Sequence, residues 1–224
     1  REVLHALPPR YSWSELMLTS AVCFAELAEF VAHQKQLCKL EFLAICPSEE
    51  CAEHAMVQAI ATLQGLHSLD LHFHSGVDGI ELAHSISSLP NLRRLEFPGM
   101  PRHLGVECLE TLESLSLSVA THEDVDWAAL VHSRSLRSLV ACCAVLPVAS
   151  VVAETVVGLP RLRFVQMTTP LWNRSGTVKT WRTTCAGILS QRASWDTVLR
   201  GFGEFRFVRQ SRNALGTTEP KASS

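Results

Sequence analysis

The sequence predicts an α/β solenoid, a horseshoe with parallel strands on its concave face and helices on its convex face. Two observations predict it. The first is a recurring phrase: an apolar residue, two others, an apolar residue, one other, an apolar residue. It reads Leu37-x-x-Leu40-x-Phe42, Leu66-x-x-Leu69-x-Leu71, Leu92-x-x-Leu95-x-Phe97 and Leu112-x-x-Leu115-x-Leu117, with weaker copies at Leu136-x-x-Leu139-x-Ala141 and Leu162-x-x-Val165-x-Met167. The starts are 20–29 residues apart, the spacing of a stacked repeat. The second is helical periodicity between the phrases. Strand then helix, repeated, means parallel strands with helices outside. No unit buries its own apolar face, so neighbours must stack.

Each element has a local reason. Trp13-x-x-Leu16-x-Leu18 reads as an earlier strand, followed by a helix carrying Val22, Phe24, Leu27, Phe30 and Val31. After Phe42, Ser48 and the acidic Glu49 and Glu50 form an N-cap-like start. Cys51, Ala55, Val57, Ala59, Ile60 and Leu63 then make one apolar face, and Gly65 is placed as the C′ residue that closes the helix. The next helix carries Ile80, Leu82, Ala83, Ile86 and Leu89 and stops at Pro90. After Leu117, residues 121–124 cap a helix carrying Val125, Trp127, Leu130 and Val131. After Ala141, a helix through Val148, Val151, Val152, Thr155 and Val156 ends at Gly158 and Pro160. A proline two residues before a phrase ends the helix and sets an extended entry to the strand. Residues 178–199 read mainly as helix, and Phe202-x-x-Phe205-x-Phe207 as a final strand. The array is read as one domain over 1–210, with atypical capping units at about 1–36 and 168–210 and a disordered tail over 211–224.

Composition narrows the function classes. Of 224 residues, 47% are hydrophobic and 19% charged, enough apolar content for a core. The net charge of −2 gives no global attraction to nucleic acid or an anionic membrane, so neither is expected as a partner. No apolar run is long enough to suggest a membrane span. The eight cysteines form no C-x-x-C pair and sit among apolar residues, which suggests reduced thiols and a cytoplasmic or nuclear setting. The start at Arg1 suggests a piece of a longer protein.

These phrases resemble the leucine-rich repeat superfamily over roughly residues 13–207, in the intracellular form with one helix per repeat. The usual Asn or Cys after the third apolar position is absent: Ile45, His74, Met100, Ala120, Ala144 and Pro170 stand there. Uneven repeats with Leu-Pro-Asn-Leu-Arg-Arg-Leu (89–95) and Leu-Pro-Arg-Leu-Arg (159–163) look most like the repeat regions of fungal-type F-box proteins. That resemblance implies the substrate-recognition part of a ubiquitin-ligase adaptor, joined to Skp–cullin subunits through a segment upstream of Arg1. The other reading is the ligand-sensing, regulatory repeat domain of a nucleotide-binding immune-type receptor.

No enzyme, cofactor or metal is expected. Asp70 and His72 share a strand face near His67 and His74, a set of zinc-ligand types, but without a second cluster. Ser114, Ser116 and Ser118 alternate on one strand without a nucleophile-elbow context. Cys142-Cys143 reads as a tight packing point rather than a redox pair. Arg93, Glu113 and Arg137 hold the second position of successive phrases and are expected to form a cross-repeat charge ladder; Arg94 and Arg163 are candidate anchors for an acidic segment. The expected partner is a protein on the concave face. Its candidate contacts are Lys39, Glu41, Asp70, His72, Arg94, Glu96, Ser116, Val140, Phe164 and Gln166.

Overall fold

A computed structural model describes residues 14–18, 24–44, 50–73, 79–97, 106–119, 125–169, 175–192, 195–199 and 204–209. The strands are β1 (Glu15–Leu18), β2 (Lys39–Ala44), β3 (Ser68–Phe73), β4 (Arg94–Phe97), β5 (Ser114–Val119), β6 (Ser138–Cys143), β7 (Phe164–Thr168), β8 (Trp195–Leu199) and β9 (Glu204–Arg209). The helices are α1 (Phe24–His33), α2 (Glu50–Ala61), α3 (Gly79–Ser87), α4 (Val106–Thr111), α5 (Ala149–Gly158) and α6 (Ser175–Arg192), with a 3₁₀ turn at Ala129–His132. They build an α/β structure around one open, mostly parallel sheet, in the order β1-β2-β3-β4-β5-β6-β7-β9-β8. From β1 to β7 sequential strands sit side by side, so each helix among them crosses from one strand to its neighbour, and successive helices pack on one another.

The recurring phrase explains the core. The register aligns Leu16, Leu40, Leu69, Leu95, Leu115, Leu139 and Val165 in one row across β1 to β7. From Leu40 onward this row is 0–3% exposed, as are the phrase-opening Leu37, Leu66, Leu92, Leu112, Leu136 and Leu162. A further buried position lies three residues earlier, at Leu63, Leu89, Leu109 and Leu159, where Gln34 and Ser133 substitute polar side chains. Burying a leucine side chain contributes about 1.5–3 kcal/mol, so these rows carry much of the hydrophobic driving force.

The backbone at the strand entrances repeats as strictly. The carbonyl of Ser14 accepts from the N–H groups of Cys38 and Lys39, and that of Cys38 from His67 and Ser68. The series continues from His67 to Arg93 and Arg94, Arg93 to Glu113 and Ser114, Glu113 to Arg137 and Ser138, and Arg137 to Arg163 and Phe164. All twelve distances are 2.7–3.1 Å. Each carbonyl uses both lone pairs, and the result is a continuous rail along one edge of the sheet.

Several expectations change. The final strand does not join in parallel: β9 runs antiparallel to β7 and β8 antiparallel to β9. Residues 195–199, read as the end of a helix, form β8, while α6 stops at Arg192. Trp195 and Val198 suit a strand, and their pairing with β9 overrides the local helical pattern. On the N-terminal side β1 pairs with β2 in the common parallel register. The helix carrying Trp127 shrinks to a 3₁₀ turn, entered through an Asp126 carboxylate that accepts from the Ala129 N–H at 3.0 Å. α2 ends at Ala61, four residues before Gly65, and Gly65 is not in the left-handed conformation expected of a C′ residue. Ile80, Val131, Val148 and Val151, expected on buried faces, are exposed. In α5 the buried stripe is Ala149, Val152, Ala153 and Val156, a rotation that turns Val148 and Val151 outward. Val22, the Ser48 and 121–124 caps and the tail over 211–224 lie outside the described residues, as do all the ladder positions except Ala144. No described helix is long and apolar enough to cross a membrane.

Buried polar bonds tie α6 to the segment before α5, and α5 to the segment before the 3₁₀ turn. Trp181 Nε1–H donates to the Pro147 carbonyl, and Thr155 Oγ1 lies 3.0 Å from the Trp127 carbonyl oxygen. Ser133 Oγ, 1% exposed at residue level, has no hydrogen-bond partner among the described residues.

Two substitutions test this packing. Leu95→Asp places an unpaired charge in the middle row and is expected to cost about 3 kcal/mol or more; a cooperative melt near the wild-type midpoint would remove the register described here. Ser133→Ala removes an unsatisfied hydroxyl and is expected to stabilise by about 1 kcal/mol in denaturant melts; a destabilised variant would show that the hydroxyl has a partner.

Candidate functional site

Residues between the buried leucines form rows on the other side of the sheet. One row reads Lys39, Ser68, Arg94, Ser114, Ser138 and Phe164; the next reads Glu41, Asp70, Glu96, Ser116, Val140 and Gln166. Strand alternation puts both rows on the face opposite the core. Nine of the ten candidate contacts therefore share one face. Arg94 is exposed, while Lys39, Glu41, Asp70, Glu96, Ser116, Val140, Phe164 and Gln166 are half-buried. His72 pairs with Leu43 in the same sheet, and its side chain lies outside the described residues.

The face is chemically graded. Neighbouring strands lie about 4.8 Å apart, so Glu41, Asp70 and Glu96 make a row of three carboxylates beside a row containing Lys39 and Arg94. Lys39 Nζ stands 3.6 Å from Glu41 Oε2 and 4.0 Å from Glu15 Oε2. A hollow of about 210 Å³ opens among these side chains, reaching Ser114 and Ser116. Toward β7 the rows turn neutral and apolar at Val140 and Phe164. There the Arg206 guanidinium lies 5.7 Å from the Phe164 ring centroid, a cation–π arrangement. Arg206 pairs with Gln166 across β9, so it extends the second row. Sequence reasoning missed it because the reversed direction of β9 is set by tertiary pairing; the alternation Phe205-Arg206-Phe207 was the available signal.

The second-position residues lie at the strand entrances instead. Arg93 Nη1 is 3.7 Å from Glu113 Oε1, and Arg137 Nε is 3.8 Å from Glu113 Oε2, so the expected charge ladder is present. All three side chains are at least a third exposed, and such pairs add little stability. Arg94 and Arg163, expected as joint anchors, are separated: Arg94 heads a strand on the open face, and Arg163 lies in the turn before β7.

The other constellations do not assemble into sites. His67 lies on the strand-entry edge, away from the row of Asp70, and His74 is outside the described residues. Among the described residues no group of three or more His, Cys, Asp or Glu side chains is placed to hold a metal ion. Ser116 has Glu96 and Val140, and no histidine, as its register neighbours. Cys142 is half-buried and Cys143 fully buried, facing opposite sides of β6. Burial pushes the Cys143 thiol up to about 12, with Cys142 adding to the rise, and burial does the same to Cys185. Such thiols stay protonated at neutral pH and are poor nucleophiles.

No protein-family profile matches the chain, and no curated protein is significantly similar to it. The geometry of the open face therefore carries the functional reading.

The raised thiols predict an alkaline effect. Their protonated folded state contributes fully below the ordinary value of 9 and is lost as pH rises toward about 12. Melting midpoints should therefore fall across that window, and less steeply in a Cys143→Ala variant than in wild type. At pH 8, peptide mapping after thiol alkylation should find Cys38, which is exposed, labelled well before Cys143 and Cys185; equal labelling would contradict their burial.

Proposed function

We propose that this chain is a leucine-rich-repeat-type recognition domain that holds a protein partner on the open face of its sheet. The observation that supports the reading is the row geometry. Six parallel strands present a graded surface, charged at Lys39, Glu41, Asp70, Arg94 and Glu96 and apolar at Val140 and Phe164. Open solenoid faces serve as extended binding surfaces. A partner segment that meets it places a basic side chain against the carboxylate row and an apolar anchor between Val140 and Phe164, where central burial is most productive. The role is binding rather than catalysis. The repeat phrases support a finer version, in which the domain is the substrate-recognition part of an F-box-like ubiquitin-ligase adaptor. That version rests on resemblance of the repeats alone.

Affinity capture with mass spectrometry tests both levels. Wild type should retain proteins that the triple variant Asp70→Ala, Arg94→Ala, Glu96→Ala loses, with the variant's melt unchanged. Identical recovery by a folded variant would remove the open-face assignment. Capture by the full-length protein without Skp or cullin subunits would remove the ligase role.

A further inference from the structure

The charges of this chain are sorted by position. From residue 24 to residue 169 the described cations are Lys35, Lys39, Arg93, Arg94, Arg134, Arg137, Arg161 and Arg163. Every one sits in the turn that leads into a strand or on that strand's first residue. The helices α1 to α5 hold no Lys or Arg at all, and they carry Glu26, Glu29, Glu50, Glu53, Glu81, Glu107, Glu110 and Glu154. A chain of net charge −2 thus has a basic edge along the strand entrances and acidic helices. Opposite charges were available for local pairing across repeats, yet among the described residues at the strand entrances from β2 to β7 only Glu113 is acidic.

The edge is densest before β6 and β7. Arg134, Arg137, Arg161 and Arg163 are all exposed. Arg137 shares Glu113 with Arg93, whereas Arg134, Arg161 and Arg163 have no ion pair among the described residues. Two adjoining hollows of about 430 and 460 Å³ meet at Pro160 and Arg161. Arg134 lines the first, and Arg137 and Arg163 line the second. Val131 also lines the first hollow and Leu162 the second.

We infer that this arginine edge is a second binding surface, distinct from the open face, that takes an acidic segment of a partner protein. Guanidinium forks bind carboxylates two-pronged, and a series of them recognises a run of Asp or Glu. Among the described residues neither hollow is lined by an aromatic side chain of the kind on which single-stranded nucleic acid stacks its bases. The rail fixes the backbone beneath the arginines, so the guanidinium groups start from an ordered base and lose less entropy on binding.

Fluorescence anisotropy with a fluorescein-labelled deca-glutamate peptide tests this. Wild type should bind saturably at low salt, more weakly at high salt, and more tightly than it binds an oligo-dT decamer. Arg161→Ala with Arg163→Ala should weaken the peptide about fivefold to tenfold, consistent with losing two exposed pairs. Arg134→Ala, a single change away from the rail, should weaken it less, and the open-face triple variant should bind it nearly as wild type does. Absence of saturable binding, equal binding by the double variant, or tighter oligo-dT binding would each overturn the proposal. So would salt-sensitive self-association in sedimentation without peptide, which would assign the edge to the acidic helices of a second copy.

Discussion

Everything in this structure depends on one packing constraint: a strand with one helix cannot cover its own apolar face. The leucine at the centre of each strand is buried only because the equivalent residue of the next strand lies beside it in register. The stability of each unit is therefore shared with its neighbours, and the array behaves as a one-dimensional stack. That is why positions between the leucines vary freely. They face away from the shared core and answer to no packing rule.

The ends of the stack require different solutions. On the C-terminal side a further parallel unit is replaced by the β9–β8 hairpin, with Phe207 opposite Val165 continuing the core row. Reversal of strand direction closes the repeat while still satisfying the backbone of β7. α6 covers α5, and the Trp181 and Cys185 side chains reach carbonyls at the start of that helix and just before it. The cap thus combines a change of pairing with buried polar contacts.

Much of the fold was legible in the residues. The phrase starting at Leu37, Leu66, Leu92, Leu112, Leu136 and Leu162 located every strand from β2 to β7, because two apolar periods are fixed by one short motif. The rows of the open face followed, since strand alternation leaves no other choice once the leucines are buried. Legibility failed where tertiary contacts decide. The direction of β9, and with it the placement of Arg206, depends on pairing with a distant strand. The orientation of α5 could not be read from Val148, Val151, Val152 and Val156, because valines stand on both sides of the helix and only packing selects Val152 and Val156. The short turn at Ala129–His132 carries apolar residues compatible with a full helix, and its extent reflects how Asp126 caps the entry. The charge sorting was present in the sequence throughout, but it becomes an edge only when the turns are stacked.

The carbonyl rail has a consequence for how such a surface changes. It is made wholly of main chain, so it holds the same geometry whether the residue above it is Cys38, His67, Arg93, Glu113, Arg137 or Arg163. Shape and chemical content are thereby uncoupled at this edge. A single substitution there rewrites one letter of the displayed text without touching the page it is printed on, so new specificities can accumulate turn by turn with the scaffold left intact.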